Sequence, residues 1–342
     1  MNGTERSLAV ARIQQKYVER LNTIIELLCN LLKIPYMAFV GSSAEGTDND
    51  ESDKDTIWFS DYYDGFDSLT ILPDERHPGY SKIQVGYEPK KSELYDYTVE
   101  IDDKNYLKNS VKKIIKDRAL SHFPSELSSH GAAYTAVVHS IPGESILQIR
   151  DSEEVDHVLC IKRPDWPDEA AEWKTRNMHS NWPTDKLVTK ITKSGYLLTA
   201  VGSKESIESE IQWRVSFNEA ELLLIKSFNE TQLHCIRLLK LLKKDLSKIA
   251  AKNITSYTMK NIMFWCLEKK SNDYWQPSNL MCCFCFCLSE LLSCVENEFL
   301  SNYFIRKRNL FISREFTCDQ RIQTCQYLKR FINDPKTSIC LL

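Results

Sequence analysis

Several residue types and patterns are scarce in this chain. Glycine and proline number only 10 and 11 of 342 residues, which excludes collagen-like and low-complexity classes. The sequence has no uncharged apolar run as long as a membrane span, and residues 1–9 lack the apolar core of a signal peptide. The net charge of −3 excludes a globally basic nucleic-acid coat protein. We therefore expect a cytoplasmic globular protein with no membrane partner.

Cysteine, by contrast, is abundant. There are 12 cysteines, and several lie between Cys266 and Cys294, where the string Cys-Cys-Phe-Cys-Phe-Cys begins at Cys282. In a reducing compartment such residues are thiols rather than disulfides. Buried thiols are the favoured interpretation. A metal site is the weaker alternative, because no histidine lies close in sequence.

Length and apolar spacing predict the organisation of the chain. A chain of 342 residues is long for one average domain, so two lobes, or one domain with a large appendage, are expected. Helical spacing predicts a long helix over 5–33, then an α/β middle, then helices from about residue 219. We expect an α+β protein with domains 1–217 and 218–342. The predicted strands are 37–40, 56–59, 69–72, 95–101, 146–149, 155–161, 197–201 and 211–215, and the predicted later helices are 219–228, 232–248, 255–269, 279–297 and 318–333.

Two rows of basic residues follow helical spacing. They are Arg12, Lys16 and Arg20 in the first helix, and Lys104, Lys108, Lys112 and Lys116 in a helix predicted over 104–120. A solvated polar face is the default interpretation of each row, and a phosphate-contacting surface is the alternative. The stretches 73–93 and 121–145 are rich in Pro, Gly, Ser and His and are predicted to be the least structured.

Acidic residues and a glycine-serine loop occur together near the N-terminus. Gly41 permits a tight turn, and Ser42 with its neighbouring amides can hold a phosphate. Asp53 and Asp55 follow; on a strand, residues two apart point to the same face, so their carboxylates repel unless a cation sits between them. An isolated D-x-D is usually a solvated turn. The order of strand, loop and paired acids favours an Mg²⁺ site.

A third acid, Asp156, lies within the apolar strand predicted over 155–161. Burial of a charge without compensation is costly, which favours a metal or cationic partner. The three acids and the glycine-serine loop resemble the polymerase-β-like nucleotidyltransferases, whose sites take a third carboxylate from a later strand.

Strings in the second half make the resemblance closer. Over about residues 15–315 the sequence is similar to the Mab-twenty-one domain family, which includes the cyclic GMP-AMP synthase-like receptors of animals. The strings that carry it are Trp166-Pro167, Trp173, Arg176, Gln212 to Glu221, Cys235 to Lys240, Ser256 to Lys260 and Asn302 to Ile305. The resemblance implies a bilobal nucleotidyltransferase fold: a mixed sheet core, a long N-terminal spine helix and a C-terminal helical lobe.

The resemblance also implies an activity and its residues. Synthase-type members sense double-stranded nucleic acid and join two nucleoside triphosphates, such as ATP and GTP, into a cyclic dinucleotide second messenger of innate immunity. Carried over, Asp53, Asp55 and Asp156 are catalytic and hold two Mg²⁺ or Mn²⁺ ions. The implied nucleotide-binding residues are Gly41 and Ser42 at the triphosphate, Arg214 at base or phosphate, Lys240 and Ser256 at phosphates, and Tyr257 stacked on a base.

The sequence also departs from the vertebrate synthase pattern. The connection from Asn229 to Cys235 has no room for the zinc-binding insertion that grips DNA, so no zinc is expected. Receptors without that insertion tend to recognise double-stranded RNA, so RNA is favoured over DNA, and a dimer on the ligand is possible by the same analogy. The two basic rows are the candidate footprint.

Other functions are compatible with the sequence. The main alternative is a catalytically silent family member that acts as a binding or scaffold protein, because many members have lost acids. A template-independent transferase that extends RNA ends is a third interpretation. The presence of all three acids with Ser42 favours the enzyme.

Overall fold

The structure of the chain is a computed structural model. It describes residues 3–32, 37–47, 54–59, 69–86, 95–113, 127–130, 133–139, 152–176, 180–249, 254–311 and 316–335. The chain divides into two compact units. The first comprises Met1–Trp166 with Lys193–Leu222, and the second comprises Pro167–Thr192 with Leu223–Leu342.

The first unit is built on a mixed sheet. Its elements are α1 (Gly3–Leu32), β1 (Met37–Val40), α2 (Gly41–Glu45), β2 (Lys54–Phe59), β3 (Leu69–Pro73), β4 (Tyr80–Val85), β5 (Thr98–Ile101), β6 (Lys104–Leu107), β7 (Leu127–His130), β8 (Ala133–His139), β9 (Ser152–Arg163), β10 (Tyr196–Thr199) and β11 (Gln212–Ser216). The strand order is β1-β2-β9-β10-β11-β4-β6-β5, with β3 on β4 and β7 on β8, which also pairs with β9. Among the described pairs, only β2 with β9 is parallel. The predicted α+β class is confirmed.

The long N-terminal helix α1 lies against the outer edge of β1. Asn22 is fixed there by two hydrogen bonds, since its amide donates to Phe39 O at 2.9 Å and its Oδ1 accepts from Phe39 N at 2.8 Å. Gln15 donates to Glu45 O at 3.4 Å and lies close to Gly46, whose φ of 68° is left-handed. The helix predicted over 5–33 is thus confirmed, and it supports the strand and turn that carry Gly41 and Ser42.

The helix predicted over 104–120 is wrong at its start. Lys104 lies on β6, which pairs with β5, and a 3-10 turn covers Asn109–Lys112. Asp102 and Asp103 have φ of 50° and 57°, the left-handed geometry of a two-residue hairpin turn. That turn determines the local structure despite the four-residue lysine period. Lys116 lies outside the described residues.

The stretches predicted to be least structured contain strands. In 73–93, β4 alternates buried Ser81, Ile83 and Val85 with half-buried residues. Pro78 and Gly79 belong to the β3–β4 turn, where Gly79 has φ 84°. In 121–145, β7 and β8 form a hairpin that pairs with β9. In β4, the alternation of buried and half-buried residues therefore favours a strand, although the composition of the stretch predicted a loop. The strand predicted over 146–149 lies outside the described residues.

The second unit is helical. Its helices are α3 (Ala171–Thr175), α4 (Asp185–Ser194), the C-terminal part of α5 (Asn218–Lys226), α6 (Glu230–Ile249), α7 (Ser256–Lys269), α8 (Leu280–Glu296) and α9 (Cys318–Asn333). Thr255 and Thr317 cap α7 and α9, each accepting a hydrogen bond from the backbone N–H three residues later. Trp173, Phe264 and Tyr303 are fully buried at its centre. The five predicted C-terminal helices are confirmed within a few residues.

Helix α8 is the most apolar element of this unit. Within the part of the chain that the structure describes, one segment, Pro277–Glu296, has the length and composition of a membrane span, with a mean hydropathy of 1.7. A helix in the core of a folded domain can have the same length and apolar composition. Six side chains of α8 are buried: Cys283, Phe284, Cys287, Leu288, Leu291 and Val295. α8 packs against α6, α7 and α9.

Candidate functional site

The parallel pairing of β2 with β9 brings two of the three predicted acids together. Asp55 and Asp156 are direct register partners. Adjacent strands in a sheet lie about 4.8 Å apart, so this pairing makes the two residues neighbours across β2 and β9. Asp156 is half-buried. A pair of acids from strands about a hundred residues apart in sequence is thus aligned by backbone pairing alone.

The structure describes the strand positions of two of the three predicted acids, Asp55 and Asp156. Asp53 lies outside the described residues, and β2 begins at Lys54. Within the described ranges no group of three or more His, Cys, Asp or Glu side chains is arranged to hold a metal ion. Carboxylate oxygens are ligands that Mg²⁺ or Mn²⁺ prefers, so the neighbouring positions of Asp55 and Asp156 suit such an ion, and the role of Asp53 stays a prediction.

The glycine-serine turn lies next to the aligned acids. β1 pairs with β2 so that Val40 is the register partner of Asp55, and α2 begins at the next residue, Gly41. Gly41 has φ 71°, a left-handed conformation that favours glycine. Ser42 is half-buried, and its carbonyl oxygen accepts a hydrogen bond from Thr47 N at 3.0 Å. The sheet therefore places Gly41 and Ser42 beside the Asp55–Asp156 pair.

The predicted nucleotide contact Arg214 lies on the same face of the sheet as Asp156. Cys160, four residues after Asp156 on β9, pairs with Thr199, and Thr199 pairs with Arg214. The Cys160 Sγ lies 3.4 Å from Thr199 Oγ1, which confirms the shared face. Burial raises the pKa of Cys160 to about 11, and the Arg214 charge opposes that rise. Two strand spacings and four residues of strand rise put Asp156 and Arg214 roughly 15 Å apart.

A histidine that the sequence analysis did not single out supports the acidic strand from the opposite face. Thr56 Oγ1 donates to Asp156 O at 3.0 Å. Its single proton is then used, so the 2.7 Å contact with His157 requires His157 Nδ1 to donate to Thr56 Oγ1. Burial lowers the pKa of His157, although Asp156 opposes the shift. The regular alternation of β9 is the sequence signal that places His157 opposite Asp156.

The candidates of the second unit occupy two helices. Lys240 is on α6 and is buried, with 7% of its surface exposed. Ser256 is exposed at the first residue of α7, and Tyr257 follows, half-buried. The Tyr257 hydroxyl accepts a hydrogen bond from Asn302 Nδ2 at 2.8 Å. Asn302, whose side chain also accepts from the N–H groups of two later residues, thus fixes the ring.

A buried charge network also lies in the second unit. Arg176 exposes 4% of its side chain and contacts Glu268 at 3.1 Å and Glu172 at 2.9 Å. It also donates to Tyr303 O at 3.0 Å and lies 4.6 Å from the ring centroid of Trp265. Burial raises the pKa of Glu268, while the Arg176 charge lowers it. Arg176 therefore joins α3, α7 and the segment after α8 within that unit.

The two basic rows differ in the structure. Arg12, Lys16 and Arg20 are all exposed on α1. In the second row Lys104 is exposed, whereas Lys108 and Lys112 are half-buried, and burial lowers the pKa of Lys112. Because strand and 3-10 turn replace the predicted helix, these lysines do not form one helical face.

The cysteines of α8 and its neighbours fall into two classes. Cys235, Cys266 and Cys287 are buried, with the Sγ atoms of Cys235 and Cys287 4.0 Å apart. Burial raises the pKa of Cys287 well above that of an ordinary thiol. The buried-thiol interpretation holds for these residues. Cys282, by contrast, is exposed.

Comparisons with known proteins agree with this architecture. Residues 66–227 match the Mab-21 protein nucleotidyltransferase domain, and residues 231–330 match the Mab-21 protein HhH/H2TH-like domain. The first match contains Asp156 and Arg214 but begins after Ser42 and Asp55.

Several curated proteins are similar to the chain. "Protein mab-21-like 3" of Danio rerio is 25% identical over 69% of this chain and 57% of its own length. "Cyclic GMP-AMP synthase" of Sus scrofa is 26% identical over 62% of this chain and 45% of its own length, and that of Mus musculus is 28% identical over 48% and 36%. The chain thus spans about half the length of these relatives, or less. Its two matched domains follow each other over most of the chain, and the chain belongs to the Mab-21 family.

Proposed function

We propose that this protein is a nucleotidyltransferase that joins two nucleoside triphosphates, ATP and GTP among the candidates, into a cyclic dinucleotide. The observation that carries the proposal is the register pairing of Asp55 with Asp156 beside the turn of Gly41 and Ser42. A carboxylate pair next to a glycine-serine turn is suited to hold metal-bound triphosphate. The nucleotidyltransferase domain match and the similarity to cyclic GMP-AMP synthases support this assignment.

In this proposal each candidate residue has one task. Asp55 and Asp156, with Asp53, hold two Mg²⁺ or Mn²⁺ ions, which supply activation of the attacking ribose hydroxyl and stabilisation of the leaving pyrophosphate. Ser42 contacts the triphosphate, and Gly41 gives the backbone its turn. Arg214 contributes positive charge on the face that carries Asp156.

The second unit contributes the remaining contacts in the same proposal. Lys240 and Ser256 bind phosphates. Tyr257, whose hydroxyl is fixed by Asn302, presents its ring for stacking on a base. Positioning and charge are the main contributions that a protein makes to such a reaction.

The test is a product assay with all four labelled triphosphates. Purified protein is incubated with Mg²⁺ or Mn²⁺ and with duplex RNA, duplex DNA or neither, and phosphatase-resistant products are separated. The matched control is Asp156→Asn, which keeps the shape of the side chain and removes its charge. A resistant product from the native protein that is missing with the variant is expected. An equal yield from both proteins contradicts the proposed metal site.

We further propose that duplex RNA activates the enzyme in the cytoplasm, with pairing of two copies on the ligand, and that its product is an innate immune signal. The exposed row of Arg12, Lys16 and Arg20 is the candidate footprint, because duplex RNA is bound through shape and phosphate contacts. Lys104, Lys108, Lys112 and Lys116 form a weaker candidate set, since they do not share a helix.

This footprint is tested by reversing the three charges on α1 to glutamate. The control reverses Lys186, Lys190 and Lys193, three exposed lysines along α4. We expect the first variant to lose RNA activation and its salt dependence while basal nucleotide binding persists, and the control to behave like the native protein. Equal loss in both variants contradicts a local footprint.

A catalytically silent binding protein is the second candidate function. The observations that favour it are the similarity to mab-21-like proteins and a nucleotidyltransferase domain match that begins after Ser42 and Asp55. The product assay separates the two functions, because a silent member yields no resistant product under any condition.

A further inference from the structure

The cysteine-rich start of α8 has an inward and an outward side. Inward, Cys283 Sγ donates to Tyr274 O at 3.4 Å, and Cys287 Sγ lies 4.0 Å from Met263 Sδ. Outward, Cys282 is exposed and Cys285 is half-buried. One helix thus buries one pair of thiols in the core and turns another pair outward.

The outward side is apolar and uncharged. Cys282, Cys285, Phe286 and Ser289 follow one another at spacings of three, one and three residues, which places them on one helix face. No residue from Leu280 to Ser289 carries a charge. A cation borders this surface: the Lys270 ammonium lies 5.0 Å from the centroid of the Phe286 ring and 5.1 Å from that of Tyr274.

We propose that Cys282, with Cys285 as a second acceptor, is a site of S-acylation by a long-chain fatty acyl group. An exposed thiol on an apolar helix face is the setting in which reversible S-acylation of cysteine occurs. The acyl donor is a long-chain acyl-coenzyme A thioester. Its hydrocarbon chain lies along Phe286 and the uncharged surface of α8.

The reaction balances without an oxidant or a reductant. The Cys282 sulfur attacks the thioester carbonyl carbon, a new carbon–sulfur bond to Cys282 forms, and the bond to the coenzyme A sulfur breaks. The proton of the Cys282 thiol passes through solvent to the departing coenzyme A thiolate. The thiolate is the attacking form. Cys283 faces inward, where its Sγ donates to Tyr274 O, and burial raises its pKa to about 12, so it stays a thiol and does not compete. Burial also raises the pKa of Cys285, which is therefore the second acceptor after the exposed Cys282.

The presence of two outward thiols has a functional meaning. One saturated chain gives only marginal, reversible membrane binding, whereas two signals together give stable anchoring. Acylation of Cys282 alone makes the attachment transient, and acylation of Cys282 and Cys285 makes it durable. The number of acylated cysteines thus sets how durable the membrane attachment is. The sequence pattern did not predict such an attachment.

The test uses the purified full chain and a limiting amount of palmitoyl-coenzyme A. Hydroxylamine-sensitive thioesters are captured and mapped by mass spectrometry in the native protein, Cys282→Ser/Cys285→Ser and Cys318→Ser. Cys318 is the matched control: it is exposed at the first residue of α9, and a helix N-terminus favours the reactive thiolate. We expect label on Cys282 and Cys285, its loss in the double variant and its retention in Cys318→Ser.

Acetyl-coenzyme A shows whether the apolar surface selects the chain. A short acyl group gains nothing from Phe286, so we expect it to label Cys282 and Cys318 alike, whereas palmitoyl label favours Cys282. Palmitoyl label that is absent, spread equally over both sites, or released by reductant instead of hydroxylamine overturns the proposal. An unchanged melting temperature of the double variant excludes unfolding as the cause of lost label.

Discussion

In the first unit Asp156 and Arg214 lie half-buried on one face of a sheet, whereas in the second unit Arg176 and Glu268 are buried against each other. A half-buried charged side chain on a strand is still accessible, so it can bind and release a ligand. A buried ion pair is committed to the fold, because removal of one partner leaves the other uncompensated. Charge in the first unit is therefore expected to control activity, and charge in the second to control stability.

The largest expected effect tests the first half of this comparison. Asp55→Asn with Asp156→Asn removes the charges that are proposed to hold the metal ions, so turnover is expected to fall at least about a thousand-fold. The melting temperature is expected to stay level or rise, because the variant carries two fewer negative charges at register-paired positions. Product yield and calorimetry on the same protein sample check both parts. A large fall in melting temperature contradicts the assignment of these acids to activity.

Arg176→Met tests the second half. It leaves Glu268 buried without its partner, so the free energy of unfolding is expected to fall by about 3–5 kcal/mol. The control is Arg306→Met, since Arg306 is more than half exposed and its pair with Glu172 is expected to contribute less than about 1 kcal/mol. Urea unfolding curves give both values. Similar losses in the two variants contradict the distinction between buried and exposed pairs.

Tyr257 tests whether the second unit also contributes to substrate binding. Loss of a stacking ring costs about 1–3 kcal/mol, so Tyr257→Ala is expected to raise KM about 5- to 150-fold. Tyr257→Phe keeps the ring and loses the hydrogen bond from Asn302, an effect of about 1 kcal/mol on stability. Steady-state kinetics of the two variants separate stacking from anchoring. Equal KM values for them contradict the stacking role.

His157 gives the smallest expected effect and tests the strand beneath the acids. Its folded pKa is lowered by burial, so as pH falls below the ordinary histidine value the unfolded chain takes up a proton that the folded chain refuses. Stability is therefore fully present above about pH 6.5 and declines as pH falls toward the folded pKa. Melting temperatures between about pH 7.5 and about pH 5 are expected to decline less in His157→Asn than in the native protein. Parallel declines in the two proteins assign the pH dependence to other groups.

The sequence predicted the regular elements better than the turns between them. The helix over 5–33 and the helices after residue 219 were predictable because their apolar period of 3.6 extends over many residues. The hairpin at Asp102 and Asp103 was missed because two left-handed residues outweigh a lysine period that no buried surface supports. The short strands β4, β7 and β8 were missed because the Pro, Gly, Ser and His content of the stretches 73–93 and 121–145 indicated loops.

The identity of the candidate site residues was predictable from the sequence, whereas their arrangement in space was not. Asp55 and Asp156 were identified from the motif order, but their register depends on backbone pairing that no local pattern encodes. His157 and Asn302 act through hydrogen bonds to Thr56 and Tyr257, respectively, and a single sequence gives no sign of such partners. The polar residues that hold the site residues in place are therefore recognisable in the structure and not in the sequence.

The parallel pairing of β2 with β9 also determines when Asp55 and Asp156 can become register partners during synthesis of the chain. Thr56 and Asp156, joined by a hydrogen bond, are 100 residues apart in the chain. At about 5–20 residues per second a ribosome needs roughly 5–20 s to add that interval. Until then the nascent chain carries the glycine-serine turn and the first acids without their partner strand. A product truncated before β9 therefore lacks Asp156 and the strand that pairs with β2, and under the proposed function such a fragment is expected to be inactive.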